Sequence, residues 1–356
     1  MRILQLIDSL NSGGAERMCI NIANVLHENG YKVVICASRA AGPLENFISQ
    51  GVNLYILRKK NSLDIAAFRK FLKIIRSSSI DVIHAHSSSL FWAIAAKLFT
   101  RNLRVIWHDH LGLKVSDRKT NRMYRLVSGQ VDAIISVNDE LAEWSRKNMK
   151  LSDERIQVLN NFSLLALVPH QSNPDYFTVV CLANIRPQKN HATLIRAIDI
   201  VSKFKLPKKL RVILAGSYDE GEYFNGLKSL VNELRLNEII EFRGPVEDTA
   251  TLLASSDCGV LSSISEGLPV ALLEYGIAGL PVVVTDVGRC AEVTGDGKYG
   301  QVVQPDDQEA MADALREILE NRDQAFIMGS AFRKHVLEKY GPTQFMDKYH
   351  TLLARI

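Results

Sequence analysis

The sequence predicts two α/β domains in tandem, each a parallel sheet with helices on its faces, and three observations carry that prediction. The chain has 356 residues, more than one hydrophobic core usually serves. Short β-branched runs alternate with amphipathic stretches, the signature of repeated βαβ units. The alternation loses its periodicity once, at ALVPHQSNPDYF (166–177), and then resumes.

Taken in order, RILQLI (2–7) reads as a strand, AERMCINIANVLHENG (15–30) as a helix, and KVVICAS (32–38) and VNLYIL (52–57) as strands. A helix ending near Arg76 follows, then strands DVIHAH (81–86), LRVIWHDH (103–110), VDAIISVN (131–138) and IQVLNN (156–161). The second series runs TVVCLANI, helix TLIRAIDIVSKF, LRVILAGS, helix GLKSLVNELRL, IIEFRG, helix TATLLASS, CGVLSS, helix PVALLEYGIAG, PVVVT and YGQVV. The helices EAMADALREILENR and GPTQFMDKYHTLLARI close the chain. The expected domains are 1–168 and 169–356, with the last helix, 341–356, packing back toward the first domain. Ligands bind at the carboxyl ends of parallel strands, so two such modules are expected to face each other across one cleft that holds the chemistry.

With 47% hydrophobic and 23% charged residues the composition is that of a globular protein and excludes fibrous and disordered classes. The five cysteines are scattered without a CxxC spacing, which reads as reduced, buried thiols. The opening MRILQLIDSLNSGG has no uncharged stretch long enough for an export signal, and the longest apolar runs are broken by Lys97 and Glu274, so no membrane span is expected. The net charge of +4 divides unevenly: residues 1–168 hold 23 Lys+Arg against 14 Asp+Glu, and 169–356 hold 20 against 25. The basic residues gather in Arg58–Arg76 and Lys114–Arg125. These runs are either solvated helix faces or a patch for anionic lipid or an anionic acceptor.

SLNSGGAER (9–17) follows the first strand and opens a helix. Gly13 and Gly14 either let backbone approach a ligand anion at the helix amino end or simply make a tight turn. The full GxGxxG pattern is absent, which argues against a dinucleotide.

SISEGLPVALLEYG (263–276) is the strongest segment. Pro269 suits the first turn of a helix, with Gly267 or Leu268 as the cap, leaving the N–H groups of Val270 and Ala271 for a diphosphate. Glu266 and Glu274 then stand roughly 10 Å apart, about the span from sugar to ribose across a pyrophosphate. Glu274 lies in a near-continuous apolar run, where an unpaired charge is costly. ANIRPQKNHATLI (183–195) places Arg186 and Lys189 after a strand, where they can meet one anion and stabilise a departing phosphate.

Two H-x-H pairs, His84 with His86 and His108 with His110, end successive strands, and each pair is expected on one side of its strand. They open a competing reading, a metal-dependent hydrolase. Against it, no ligand set recurs in the second module, and the Glu266–Glu274 segment is left without a role. No DxD triplet is present, so cationic side chains and a helix end are expected to neutralise the leaving group in place of a metal.

GGAE after the first strand, IHAH and WHDH at later strand ends, the R..K loop and the spaced glutamates of SEGLPVALLEYGIAGLPVVVTDVG together resemble retaining glycosyltransferases of family 4, which have the GT-B fold of two Rossmann-like domains facing across a cleft. The resemblance spans nearly the whole chain. It implies that Gly13 and Gly14 approach donor phosphate and acceptor, that His110 lines the reaction centre, that Glu266 holds the transferred sugar and that Glu274 holds the ribose. Gly267, Leu268 and Val270 complete the donor-binding set, with Arg186 and Lys189 at the leaving phosphate. The family often has arginine where Asn184 stands, and Arg186 is closer to the lysine. The implied activity is transfer from a nucleotide diphosphate sugar, favoured as UDP-linked with GDP the alternative, to a saccharide or lipid-linked saccharide in surface polysaccharide synthesis. The donor is a substrate, no cofactor or metal is expected, and the partners exclude nucleic acid. The expected location is the cytoplasm, at the inner face of an anionic membrane. A non-catalytic nucleotide-sugar-binding relative stays open.

Overall fold

The structure, a computed structural model, describes residues 1–11, 13–110 and 118–356, and the backbone alone for 118–121. The basic run Lys114–Arg125 therefore lies partly outside the described residues. The chain divides into two compact units, Met1–Phe162 with Pro342–Ile356, and Ser163–Gly341.

The strands of the first unit are β1 (Arg2–Ser9), β2 (Lys32–Ala40), β3 (Asn53–Ile56), β4 (Val82–His86), β5 (Arg104–Asp109), β6 (Ala133–Ser136) and β7 (Ile156–Val158). Between them run α1 (Gly14–Glu28), α2 (Ile65–Ser77), α3 (Leu90–Phe99), α4 (Arg118–Val127) and α5 (Asp139–Asn148). The sheet has the order β3-β2-β1-β4-β5-β6-β7 with parallel neighbours throughout. Every residue of β4 is buried, so its two histidines belong to the interior of a sheet covered on both faces. The strand order reverses between β1 and β4, a switch point at which such sheets open a crevice. Asp64 and Asn138 cap α2 and α5 by accepting from Ala67 N and Leu141 N, each worth about 1 kcal/mol.

The second unit holds β8 (Tyr176–Leu182), α6 (His191–Ser202), β9 (Lys209–Ala215), α7 (Glu222–Glu233), β10 (Ile240–Gly244), α8 (Thr249–Ala254), β11 (Cys258–Leu261), α9 (Val270–Ala278), β12 (Val282–Thr285), α10 (Cys290–Val293), β13 (Gln301–Val303), α11 (Gln308–Glu320) and α12 (Arg322–Tyr340). Its parallel sheet has the order β10-β9-β8-β11-β12-β13, with the switch point between β8 and β11. The last helix, α13 (Pro342–Leu353), belongs to the first unit. Its Phe345 packs on Phe162 with ring centroids 5.0 Å apart.

The boundary falls at 162/163 rather than 168/169. Phe162 is held in the first unit by its carbonyl, which accepts from Asn21 Nδ2 at 2.9 Å, while Ser163 already bonds within the second. The helices α3, α4, α5, α10 and α12 add to the elements read from the sequence. In α12 the buried Ala325, Phe332, Val336 and Tyr340 keep helical spacing, but Phe326, Ile327 and Leu337 are exposed and blur the pattern. Gly329 blurs it further, reading as a breaker. A Cβ there would lie 2.2 Å from Gly279 O, so the glycine lets α12 pack against backbone. All five cysteines are free and buried. Among the described residues no helix is long and apolar enough to cross a membrane.

Candidate active site

Both loops of the second unit that the sequence singles out leave strands flanking its switch point. The loop after β8 makes one tight turn, Pro187–Lys189, closed by Asn190 at φ 47°. Asparagine tolerates this left-handed conformation, and its amide is tied to Thr193 Oγ1 at 2.8 Å and Asp306 Oδ1 at 2.6 Å. The loop after β11 carries Ser262, Ser263 and Glu266. Ile264 N donates to Gln188 O at 2.9 Å and Ser262 Oγ to Lys189 O at 3.0 Å, so the two loops are joined through backbone.

That junction brings Lys189 Nζ to 2.6 Å from Glu266 Oε1, an oxygen that also accepts from Ser263 Oγ at 2.7 Å. The carboxylate is 8% exposed and the lysine 25%, so the cation is the more open member of the pair. Gly288, at φ 55°, braces the same loop from behind. A Cβ there would stand 2.1 Å from Glu266 O and 2.7 Å from Gly267 O, and Arg289 N donates to Gly267 O at 3.0 Å. Only glycine fits this position.

Pro269 corrects the expected helix start. It is the cap itself, with φ −73° and ψ 121°, and α9 begins at Val270. The ring fixes φ at a helical value, but the extended ψ keeps Pro269 outside the helix. No side chain caps α9. The side chain of Leu268 is buried in the core beside Leu272 and Leu273, so any ligand contact it makes is through backbone. Glu274, 8% exposed on α9, accepts from Ser163 Oγ at 3.2 Å. Tyr275 OH accepts from Leu182 N at 2.6 Å and ties the same helix to the end of β8.

Arg186 is not brought into the pair. Its side chain is exposed and forms no ion pair among the described residues. Asn184, where the family often has arginine, accepts from Ser217 N at 3.0 Å and braces the loop.

In the first unit Gly13 caps α1 in an extended conformation. A Cβ on it would meet Glu16 Oε2 at 2.2 Å, so the space it leaves is taken by a carboxylate folded back on the helix start, as in a capping box. Gly14 has nothing within 4 Å of its would-be Cβ and faces open space.

The four histidines form one stack. Ring centroids lie 4.7 Å apart for His84–His86, 4.0 Å for His108–His110 and 5.2 Å for His86–His110, so each H-x-H pair does share a side. His84 Nδ1 meets Tyr349 OH at 3.1 Å and His84 Nε2 meets His108 Nδ1 at 3.2 Å. His86 Nε2 meets Gln5 Oε1 at 2.8 Å and His86 Nδ1 meets His110 Nε2 at 3.0 Å. Burial holds the three inner rings neutral, pushing the pKa of His84 down to about 3 and those of His86 and His108 well below the ordinary value. Ligating atoms of His84, His86 and His108 lie within 4.8 Å of one another, a spacing within which three histidines can share one ion. Five of the six nitrogens on these rings are already hydrogen-bonded, His108 Nε2 being the exception, so an ion would have to displace those bonds.

Gly288, Ser163, Gln5 and Tyr349 were not singled out from the sequence, because each acts on a residue far from it in the chain, and Ser263 was not either, although it stands three residues from Glu266. Gly288 had a local signal, a glycine just after a strand end.

Residues 167–335 match the model of glycosyl transferases group 1, and residues 12–162 that of glycosyltransferase family 4. The chain is 22% identical to the N-acetyl-alpha-D-glucosaminyl L-malate synthase of Bacillus anthracis, over 96% of its own length and 93% of that protein. It is also 22% identical to the UDP-Gal:alpha-D-GlcNAc-diphosphoundecaprenol alpha-1,3-galactosyltransferase of Escherichia coli, over 95% and 93%. The fold matches Anabaena Alr3699/HepE in complex with UDP and glucose with a TM-score of 0.81, 19% identity, and coverage of 99% and 100% of the two chains. The two matched models take in both sheets, and on that ground the chain belongs to the family 4, group 1 glycosyltransferases of GT-B fold.

Proposed function

We propose that this glycosyltransferase moves a hexose from a UDP-linked sugar to a lipid-linked saccharide, with retention of configuration and without a metal or other cofactor. The observation that carries the reading is the Lys189–Glu266 pair at 2.6 Å, where a partly open cation stands beside a shielded carboxylate. The ammonium offers its remaining N–H donors to the leaving diphosphate. The carboxylate accepts from a sugar hydroxyl. Arg186, free in the same loop, adds a second cation, and Glu274 takes the ribose hydroxyls. The backbone N–H groups at the start of α9, from Gly267 to Val270, meet phosphate oxygens, and Gly13 and Gly14 leave room for donor phosphate and acceptor. In this reading no carboxylate acts as a nucleophile, and displacement takes place on one face of the sugar. The bond from the anomeric carbon to the diphosphate breaks, a bond to the acceptor oxygen forms, and the acceptor's proton passes to the departing diphosphate. His110 supplies a hydrogen bond at this centre.

The acceptor class draws on the Escherichia coli relative, whose name specifies UDP-Gal and a diphosphoundecaprenol-linked saccharide. The first unit also supports an anionic membrane as partner, at the inner face of the cytoplasmic membrane. Arg69, Lys73 and Arg76 line a groove on α2. Nearby, Leu98 and Phe99 are 68% and 63% exposed, and Arg76 donates to Phe99 O at 3.3 Å. Cations beside exposed apolar side chains suit a lipid interface. A thermal-shift panel tests the donor: UDP and a UDP-hexose are expected to raise the melting temperature by mass action. No shift with any nucleotide diphosphate would remove the reading.

A further inference from the structure

The Lys189–Glu266 pair stands at the carboxyl ends of β8 and β11. At the amino ends of the same strands the second unit holds another cavity, which the transfer reading does not use. It has a volume of about 420 Å3, and its lining includes Asp257, Arg322 and Phe326. That size is ordinary for a small-ligand site. β8 has seven residues, so about 20 Å of strand lies between this cavity and the Lys189 loop.

Asp257 and Arg322 give the cavity its polar end. Asp257, just before β11, is 8% exposed, and its Oδ2 accepts from Thr178 N at 2.8 Å. Its Oδ1 is held at longer range, accepting from Arg322 Nη2 at 3.3 Å and standing 3.9 Å from His170 Nε2. The same Arg322 Nη2 donates to Ser172 Oγ at 3.3 Å. The guanidinium is thus fixed through one nitrogen, and among the described residues its Nε and Nη1 have no partner. The apolar lining includes the buried Phe177, Leu280 and Ile318, but Phe326 is 60% exposed. Phe326 follows Arg322 by four residues on α12, so the ring and the guanidinium share a helix face.

Charge decides what such a set recognises. Asp257 and Arg322 cancel, and the exposed Asp323 in the same lining adds a negative charge. An anion at the guanidinium would face both carboxylates. An ammonium at Asp257 would displace Arg322 and leave a cation without its counterion. A neutral ligand with several hydroxyls meets neither obstacle. Its oxygens accept from Nε and Nη1, and one hydroxyl donates to Oδ1, which has lone-pair capacity to spare. A pyranose ring also carries a face of C–H groups, which fits the electron-rich face of an aromatic ring.

We propose that this cavity is a second saccharide site, at which Arg322 and Asp257 bind neighbouring hydroxyls and Phe326 supports the ring of a neutral sugar. It retains a saccharide and does not react with it. The site is independent of Lys189 and Glu266.

Titration calorimetry and saturation-transfer NMR test it on the full chain with UDP present. The probes are neutral disaccharides to tetrasaccharides of glucose, galactose and N-acetylglucosamine. At least one is expected to bind, with affinity about tenfold lower in Phe326→Ala and in Arg322→Gln and unchanged in Lys189→Ala. UDP binding should be the same in the first two variants as in the parent. Phe326 is exposed, so its removal leaves the fold intact even if Arg322→Gln unsettles Asp257. Binding unaffected by Phe326→Ala, or no binding by any probe, would overturn the proposal. So would inorganic phosphate or butylamine binding more tightly than every saccharide in a manner lost with Arg322→Gln. Full turnover in Lys189→Ala would instead sink the donor reading and leave this site standing.

Discussion

Lys189 Nζ and Glu266 Oε1 lie 2.6 Å apart although 77 residues separate them, and neither loop alone would hold its charge in place. The carboxylate is the better shielded of the two, so the pair is a fixed anion with a cation leaning toward solvent. An incoming diphosphate can take the free side of the ammonium without breaking the pair.

Replacing Lys189 by alanine is therefore expected to cost on the order of 2–4 kcal/mol in transition-state stabilisation, roughly 30- to 900-fold in turnover at saturating donor. Glu266→Gln loses the same interaction from the other side, so the double variant should be little worse than the poorer single one. Transfer rates of the three variants check this. A Lys189→Ala rate within twofold of the parent would show that the lysine does not meet the leaving group.

Gly288→Ala should damage the site without touching a charged residue. The added Cβ would fall 2.1 Å from Glu266 O in a φ region that disfavours side chains. Overpacking of this kind costs about 1–3 kcal/mol. The expected result is a lower melting temperature together with weaker UDP binding by titration calorimetry. Parental values in both would mean that the Glu266 loop does not depend on this brace.

The buried histidines set a direction for acid sensitivity. Folded His84 has its pKa pushed down to about 3 from an ordinary 6.5, and His86 and His108 shift the same way. The unfolded chain binds protons below 6.5 that the folded chain refuses, so stability is full above 6.5 and falls as the pH drops from there toward 3. Melting temperatures between pH 8 and pH 5 should decline below 6.5, and His108→Gln should flatten the decline. A flat profile in the parent protein would show that the cluster protonates without unfolding.

Membrane attachment, if it runs through α2, must depend on charge. Lys70 and Arg76 donate to backbone carbonyls of Ile56 and Phe99, so changing them would also disturb the fold. Arg69 and Lys73 are exposed and serve better. Each cation near an anionic surface is worth about 1 kcal/mol, so Arg69→Glu with Lys73→Glu should release the protein from phosphatidylglycerol vesicles, as high salt should. UDP binding should be unchanged. Equal sedimentation with neutral vesicles would return this helix to an ordinary solvated surface.

Much of the fold was legible because buried parallel strands such as VVICA (33–37) and VVV (282–284) leave unbroken apolar runs, and amphipathic stretches such as EAMADALREILENR leave a helical stripe. α12 was not, since Phe326 and Ile327 face solvent and Gly329 sits in its middle, packed on the backbone of Gly279. The individual residues Lys189, Glu266 and the four histidines could be picked out by type and by position at strand ends. Their partnerships could not. Tyr349 on the last helix bonds to His84 on β4, and Ser163 at the unit boundary bonds to Glu274, contacts that local spacing does not record. Pro269 misled by one residue because its ring constrains φ alone, and ψ is decided by the surrounding packing.

The central claim is transfer from a nucleotide diphosphate sugar with protein cations in place of a metal. The measurement that bears on it most directly is donor turnover by the full chain, purified and dialysed against a chelator, over a panel of UDP- and GDP-hexoses with lipid-linked and soluble saccharide acceptors. The account predicts release of UDP coupled to formation of a glycosylated acceptor of retained configuration, undiminished by the chelator, with no stoichiometric zinc in the protein and with turnover lost in Lys189→Ala. A bound zinc whose removal abolishes activity, or binding of UDP-sugars with no turnover against any acceptor, would contradict it.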